Sequence, residues 1–338
     1  MCNIELDFSK EIHLNKIPTH EAWLNNIVSF LTEWYDNSDI IKTNTSGSTG
    51  IPKTIELTKE AMVKSAEMTG KFLNLKENDS ALLCMPALFI AGKMMLVRAI
   101  VWKLKLRCIQ PSSNPLKNIK NEISFSAMTP MQVEHSLDKL HLIKKLIIGG
   151  AQIPTPLSKQ LNQFSTSIYE SFGMTETISH IALKKVSKNP EERFKLLPNT
   201  KIDLDDRGCL TIKTPFSNEE IITNDLVKMH SENEFEWLGR LDNVINSGGI
   251  KIYPEKVEKQ LKTIIPNEFI ISSQPDPILG NKVILVIEGC ILTHIEELIQ
   301  NFNFNHKYEK PREIYFIEKF QRTPTGKIVR RNISLSFK

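Results

Sequence analysis

Residues 45 to 53 read TSGSTGIPK, a run of Gly, Ser and Thr with one Pro that closes on Lys53. That composition suits neither a helix interior nor a strand interior, so the segment is a loop. Gly47 and Gly50 let the backbone approach an anion closely. The hydroxyls of Thr45, Ser46, Ser48 and Thr49, with successive backbone N–H groups, can line a concave anion site. Lys53 adds a positive charge, so the chemistry this segment suits is phosphate binding. It does not match the phosphate loop of nucleotide kinases, whose GxxxxGK[ST] pattern needs Gly where Pro52 stands. Taken alone, the stretch fits a phosphate cradle or an ordinary flexible loop.

Three further segments carry residues of chemical interest: SFGMTET at 171–177, WLGRLDNVINSGGIKIYPEKVE at 237–258 and RTPTGKIVRR at 322–331. Together with TSGSTGIPK, and in this order, they resemble the adenylate-forming superfamily of acyl-CoA synthetases, luciferases and peptide-synthetase adenylation domains. SFGMTET and the short segments MTP, IIGGAQIP and TND most resemble the o-succinylbenzoate–CoA ligases of menaquinone synthesis within it. The resemblance implies a two-step reaction. A substrate carboxylate attacks the α-phosphate of ATP, pyrophosphate leaves, and a thiol then displaces AMP from the acyl-adenylate. Donors, a lysine and a metal ion must offset the negative charge gathered in the first step.

The same resemblance assigns roles. Thr45, Ser46, Gly47, Ser48, Thr49, Gly50 and Lys53 would hold the β- and γ-phosphates. Thr175 would contact the α-phosphate, and Glu176 would bind Mg²⁺ directly or through water, as a hard cation prefers oxygen ligands. Gly150, Ala151 and Gln152 would run along the adenine together with the strand end Ser171, Phe172, Gly173 and Met174, with Phe172 stacking on the ring. Asp225, matching the aspartate of the family's TGD motif, would accept from the ribose hydroxyls, and Arg240 would reach the ribose or phosphate. Lys327 would be the mobile catalytic lysine, a point charge bridging carboxylate and phosphate. Asp242 would be a hinge about which a small C-terminal domain rotates between the two steps. Gly248 and Gly249 would line the pantetheine tunnel for coenzyme A. By residue type alone, Glu176 and Lys327 also suit a solvated surface, Phe172 a core, and Gly248–Gly249 a plain turn.

Three departures from the family pattern stand out. Only 44 residues precede the phosphate loop, where relatives carry a whole lobe. Asn224 replaces the Gly of TGD. In MPALFIAGKMMLVR, Phe89 occupies the place of a histidine near the acyl pocket. Arg98, six residues after Gly92, stands where some succinylbenzoate ligases carry a basic residue for the second carboxylate, and Lys93 lies near it. A guanidinium is well shaped to clamp a carboxylate, although Arg98 also suits the end of a buried helix.

The elements that must position these residues follow from hydrophobic spacing. An initial strand and an amphipathic helix with Trp23, Phe30 and Trp34 precede the loop, and Thr58 can cap a helix to Leu73. Apolar runs at 81–86, 105–110, 122–128, 144–150 and 165–171 read as strands, separated by helical patterns at 92–100, 130–140 and 155–164. From 200 to 238 the pattern is one of short antiparallel strands. After 240 the alternation returns, with helices from Pro254 and at 293–301 and strands at 268–273, 281–288 and 312–318. The expectation is α/β: an adenylate-forming fold with a shortened large N-terminal domain (1–239) of layered mixed sheets, helices and a small β subdomain. A small mobile α+β C-terminal domain (240–338) follows it.

The 338 residues include 43 basic and 39 acidic side chains, a net charge of +4. That balance is too even to argue for nucleic acid as partner. Five cysteines without CxxC or His-ligand spacing fit a reducing compartment and argue against a structural zinc site. The N-terminus lacks the apolar region of a signal peptide. Residues 81–102 are apolar but contain Pro86, Lys93 and Arg98, and each central charge costs roughly 2.5–3.5 kcal/mol in a bilayer. The sequence therefore predicts a cytoplasmic enzyme acting on a small carboxylic acid, ATP and coenzyme A, with no membrane span. Its oligomeric state is left open, a homodimer included. Rival readings are a ligase for another aromatic or fatty acid, loading of a carrier-protein thiol, or a catalytically inactive nucleotide-binding protein.

Overall fold

The computed structural model describes residues 3–44, 54–217, 219–290, 294–323, 328–330 and 333. The chain starts with strand β1 (Asn3–Asp7) and helix α1 (Ala22–Trp34), whose Leu24, Ile27, Phe30 and Leu31 recur at helical spacing and are buried. Strands β2 (Ile40–Asn44) and β3 (Thr54–Thr58) pair antiparallel and flank the segment 45–53. Helix α2 (Lys59–Leu73) begins where predicted, with the Thr58 hydroxyl accepting from the Ala61 N–H at 3.2 Å.

The layered unit then unfolds in sequence as β4 (Ser80–Leu83), α3 (Ile90–Val101), β5 (Lys105–Ile109), β6 (Ile123–Met128), α4 (Pro130–Glu134), β7 (Ile143–Ile148), α5 (Thr155–Leu161) and β8 (Ser167–Gly173). Strands β5, β4, β6, β7 and β8 lie parallel in that order, and β1 closes the edge antiparallel to β5. Successive strand residues enter opposite cores: Ala81 and Leu83 face one, Leu82 the other, and Ile147 sits opposite Leu146 and Ile148. The first core holds α1, α2 and α3. Helix α3 is buried from Gly92 to Ala99, which explains its apolar composition without a bilayer. It packs so closely that a Cβ on Gly92 would lie 2.2 Å from the Pro86 carbonyl oxygen. Among the described residues no helix is long and apolar enough to cross a membrane.

From β8 onward the pairing turns antiparallel through β9 (His180–Lys185), β10 (Phe194–Leu196), β11 (Lys201–Leu204), β12 (Cys209–Lys213), β13 (Ile221–Ser231) and β14 (Glu234–Arg240). Among the described residues this makes one sheet of twelve strands in the order β1-β5-β4-β6-β7-β8-β9-β10-β14-β13-β12-β11. Its β end wraps a separate core of Ile181, Phe194, Leu210, Ile212, Val227 and Phe235.

The remaining chain builds its own sheet. It contains the hairpin β15 (Ile245–Ser247) and β16 (Ile250–Ile252), helix α6 (Pro254–Leu261), β17 (Phe269–Asp276), β18 (Gly280–Glu288), helix α7 (Ile295–Asn301) and β19 (Glu313–Ile317). The order is β16-β15-β18-β17, with β19 parallel to β18. Its cores contain only residues beyond 244.

Six strands go beyond the sequence reading: β2, β3, β9, β10, β15 and β16. Strand β9 begins with four consecutive buried residues, His180 to Leu183, so it lacks the alternation that marks a strand. The hairpin β15–β16 is three residues a side around Gly248–Gly249, too short to give a period.

Candidate functional site

One group of the sequence-predicted residues lies at the carboxyl ends of the parallel strands β7 and β8, where open α/β sheets bind ligands. Thr129, directly after strand β6, caps α4 with a capping box to Gln132. Strand β7 runs into Gly149 and the exposed Gly150, Ala151 and Gln152. Gly150 has φ +85°, and a Cβ there would come within 3.8 Å of Thr129. Gly149 abuts Ser171, whose hydroxyl donates to the Ile148 carbonyl at 3.0 Å. Strands β6, β7 and β8 thus bring Thr129, Gly150 and Ser171 together.

The turn from Gly173 to Ser179 presents Thr175, half-buried, and Glu176, exposed. Thr177 pins it from inside. Its hydroxyl accepts from the Met174 N–H at 2.9 Å and lies 2.6 Å from the Ser179 carbonyl oxygen, to which it can donate. Ile178, a β-branched residue, is held at φ +67°, a left-handed geometry that persists only where the surroundings impose it. Gly173 crosses the far side of the turn. A Cβ there would sit 2.3 Å from the Ser179 carbonyl oxygen and 2.5 Å from the His180 Cα, so only glycine fits.

Below this turn lies a buried polar group that the sequence reading missed in part. Arg98, 3% exposed on α3, donates through Nη2 to the Ser179 hydroxyl at 2.5 Å. Among the described residues its Nε has no hydrogen-bond partner and no carboxylate offsets its burial. Burial lowers its pKa to about 10, which leaves it cationic at neutral pH. Ser179 Oγ and His180 Nδ1 are 3.2 Å apart, as are His180 Nε2 and Thr69 Oγ1. Burial, and secondarily the Arg98 charge, push His180 well below the ordinary histidine range, so it is neutral. Ser179 and His180 lie two and three residues beyond SFGMTET, and that proximity is the signal that marks them.

Lys93 and Phe89 sit differently. The buried Lys93 ammonium donates to the Lys42 carbonyl at 2.7 Å and lies 5.6 Å from the Phe30 ring centroid, tying α3 to β2. Burial lowers its pKa, with Glu33 opposing. Phe89 is the half-buried residue before α3.

A second group forms on β13 and β14, where Asp225 and Arg240 are register partners. Asp225 is buried and accepts from the Trp237 indole at 2.9 Å. Arg240 donates to Asp242 at 3.1 Å, and the Asn224 amide donates to both Asp242 oxygens at 3.3 and 3.2 Å. Arg207 in turn donates to the Asn224 side-chain oxygen at 2.9 Å. Phe172 links the two groups: it meets Phe235 of β14 edge-on, with centroids 5.1 Å apart, and Phe194 at 5.8 Å. The third group lies apart, in the second sheet. Gly248 (φ +57°) and Gly249 (φ +80°) form the two-residue turn of the β15–β16 hairpin, with Gly248 facing Tyr308 and Leu279. The segment Thr45 to Lys53 and Lys327 lie outside the described residues, although the flanks of the latter are paired, Arg322 with Ile328.

The sequence model of the AMP-binding enzyme family matches residues 36–212, more than half the chain. The chain belongs to the AMP-binding enzyme family. Its match spans β2 to β12, including both strands that flank residues 45–53 and the whole Gly173–Ser179 turn. A curated relative, the 2-succinylbenzoate–CoA ligase of Lactococcus lactis, is 24% identical over 97% of this chain and 78% of its own length. A solved acyl-CoA synthetase (AMP-forming)/AMP-acid ligase II-like protein from Dyadobacter fermentans is 33% identical. It matches with TM-score 0.66 over 100% of both chains. The O-succinylbenzoate coenzyme A synthetase of Bacillus subtilis, solved with ATP and magnesium, has TM-score 0.75 over 86% of this chain and 68% of its own. At 22% identity that likeness concerns the fold.

Proposed function

We propose that this AMP-binding enzyme is an ATP-dependent acid–CoA ligase that converts o-succinylbenzoate to its CoA thioester, a step of menaquinone synthesis. The observation that carries the acid's identity is the buried Arg98 cation. It stands against the turn bearing Thr175 and Glu176, with no carboxylate of the described chain to neutralise it. An unpaired buried charge is costly, and the second carboxylate of a dicarboxylic acid would supply the missing partner. A long fatty acid would leave Arg98 unpaired.

In the first step a substrate carboxylate oxygen bonds to the α-phosphorus of ATP and the bond to pyrophosphate breaks. In the second the CoA sulfur bonds to the acyl carbon and AMP leaves. Thr45 to Lys53 would hold the outer phosphates, and Thr175 would donate to the α-phosphate. Asp225, oriented by Trp237, would accept from the ribose. Gly150, Ala151, Gln152 and Phe172 would border the adenine. Lys327 would bridge carboxylate and phosphate, and Gly248 and Gly249 would border the pantetheine.

Among the described residues no three His, Cys, Asp or Glu side chains gather into a metal cage. A nucleotide-bound Mg²⁺ needs none, because it takes phosphate oxygens and water with one or two carboxylates. The exposed Glu176 carboxylate fits that requirement. The ion would supply charge neutralisation on the phosphates.

A large unit (1–239) and a small one (240–338) turning about Asp242 would serve the two steps. Their separate cores support the division. The reaction belongs in the cytoplasm, where ATP and CoA are available. The test is ATP–pyrophosphate exchange with a panel of acids. Exchange dependent on o-succinylbenzoate is expected; exchange driven only by monocarboxylic or fatty acids, or none at all, would refute the reading.

A further inference from the structure

We propose that His180 is a positioning residue for substrate recognition: through Ser179 it fixes the orientation of the Arg98 guanidinium. The inference rests on the reading of Arg98 as the partner of the acid's second carboxylate.

The polarity of the buried chain can be worked out atom by atom. A guanidinium only donates, so the Ser179 oxygen accepts from Arg98 Nη2 at 2.5 Å. The single hydroxyl hydrogen of Ser179 is then available for His180 Nδ1, 3.2 Å away, which we assign as the accepting nitrogen. A neutral ring with a bare Nδ1 carries its proton on Nε2. That nitrogen donates to Thr69 Oγ1 at 3.2 Å. Thr69 passes its own hydrogen to the Ser65 carbonyl at 3.1 Å, one turn back on α2. The chain therefore runs from a cation to a helix carbonyl, and the Ser179, His180 and Thr69 hydrogens each have a place. The opposite tautomer would aim Nδ1–H at the oxygen that already accepts from Arg98. It would also leave the Ser179 hydrogen without its partner and draw the Thr69 hydrogen away from Ser65.

The surroundings make this chain rigid. His180 is 8% exposed and Thr69 1%. Gly173 crosses against the Ser179 and His180 backbone, and Ile178 is held in the left-handed region beside them. Without the imidazole, the Ser179 hydroxyl has lost the acceptor of its hydrogen and is free to turn, so the oxygen that accepts from Arg98 is no longer held in one orientation. A misaligned fork weakens carboxylate binding while leaving ATP contacts in place.

The test compares His180→Phe, His180→Gln and Arg98→Ala in steady-state kinetics with both substrates varied, alongside thermal unfolding. Gln presents an accepting oxygen and a donating amide to the same two partners. We expect His180→Phe to raise the KM for o-succinylbenzoate about ten-fold, with kcat and the ATP KM nearly unchanged, and His180→Gln to bring it back to within about three-fold of wild type. Long-range ¹H–¹⁵N spectra of the wild-type protein at neutral pH should display a neutral ring protonated at Nε2, a readout that needs no variant to fold. An acid KM unchanged in His180→Phe but raised in Arg98→Ala overturns the positioning role and leaves the Arg98 reading standing. Gln no better than Phe, or an Nδ1–H or cationic ring, also overturns it. An acid KM unchanged in Arg98→Ala overturns the Arg98 reading, and the inference with it.

Discussion

Arg98 is a buried cation that, among the described residues, donates to a single hydroxyl. A charge-assisted hydrogen bond contributes roughly 1.5–3 kcal/mol, so Arg98→Ala should raise the KM for a dicarboxylic acid by about ten- to a hundred-fold. An analogue lacking the second carboxylate should have the same KM in both proteins. Steady-state kinetics with the two acids checks this, and an equal loss for both would contradict it. Arg98 could be picked out by type and spacing, as a cation on an apolar helix. Its partner could not, because Ser179 lies 81 residues further on. Thr69 and His180 are 111 apart. Such contacts depend on how α2 and α3 pack beneath β9, and no local pattern encodes that.

At the scale of elements, Asn224 makes contacts beside Asp242, the residue proposed as the hinge. Asn224 takes the place of the Gly in the TGD motif it resembles, and its amide grips Asp242 while Arg207 holds its oxygen. Arg207 is itself anchored on Asp205 at 2.8 Å. These contacts are exposed, so they contribute at the level of a surface pair. Asn224→Gly should change the ratio of the two half-reaction rates by only about two- to five-fold. Single-turnover measurements of adenylate formation and of thioester formation give that ratio. An unchanged ratio would mean that the contact does not bias the hinge.

The helices and parallel strands of this region were legible because their apolar residues repeat at 3.6 or fill continuous runs. The hairpin β2–β3 was not. Its strands are five residues each, and only Ile41, Thr43 and Leu57 are buried. Strand β9 was missed for the opposite reason, being buried on both faces at His180 to Leu183. The Gly248–Gly249 pair could be read as a plain turn, but the three-residue strands it joins gave no period to mark a hairpin.

For the whole molecule, the two sets of cores meet over few described contacts. The Thr155 hydroxyl donates to the Lys259 carbonyl at 3.1 Å, Lys256 pairs with Glu236 at 3.6 Å, and Glu255 lies against Gly239. With the Asn224–Asp242 contacts, these are mostly polar links of the kind that fit a small domain turning between two steps. On this account Lys327 serves only the first. Lys327→Ala should reduce adenylate formation by at least about a hundred-fold, the usual scale for losing a transition-state contact. It should spare thioester formation from supplied acyl-adenylate. Rapid-quench assays of each half-reaction separate the two, and equal losses in both would contradict the division of labour.

The central claim is that a carboxylate of o-succinylbenzoate attacks the α-phosphorus of ATP in this protein. It is tested most directly by the fate of isotope. With o-succinylbenzoate carrying ¹⁸O in both carboxylates, ATP, Mg²⁺ and coenzyme A, mass spectrometry of the products should find one ¹⁸O in AMP and none in pyrophosphate. Unlabelled AMP, or ADP and phosphate in place of AMP and pyrophosphate, would contradict the account.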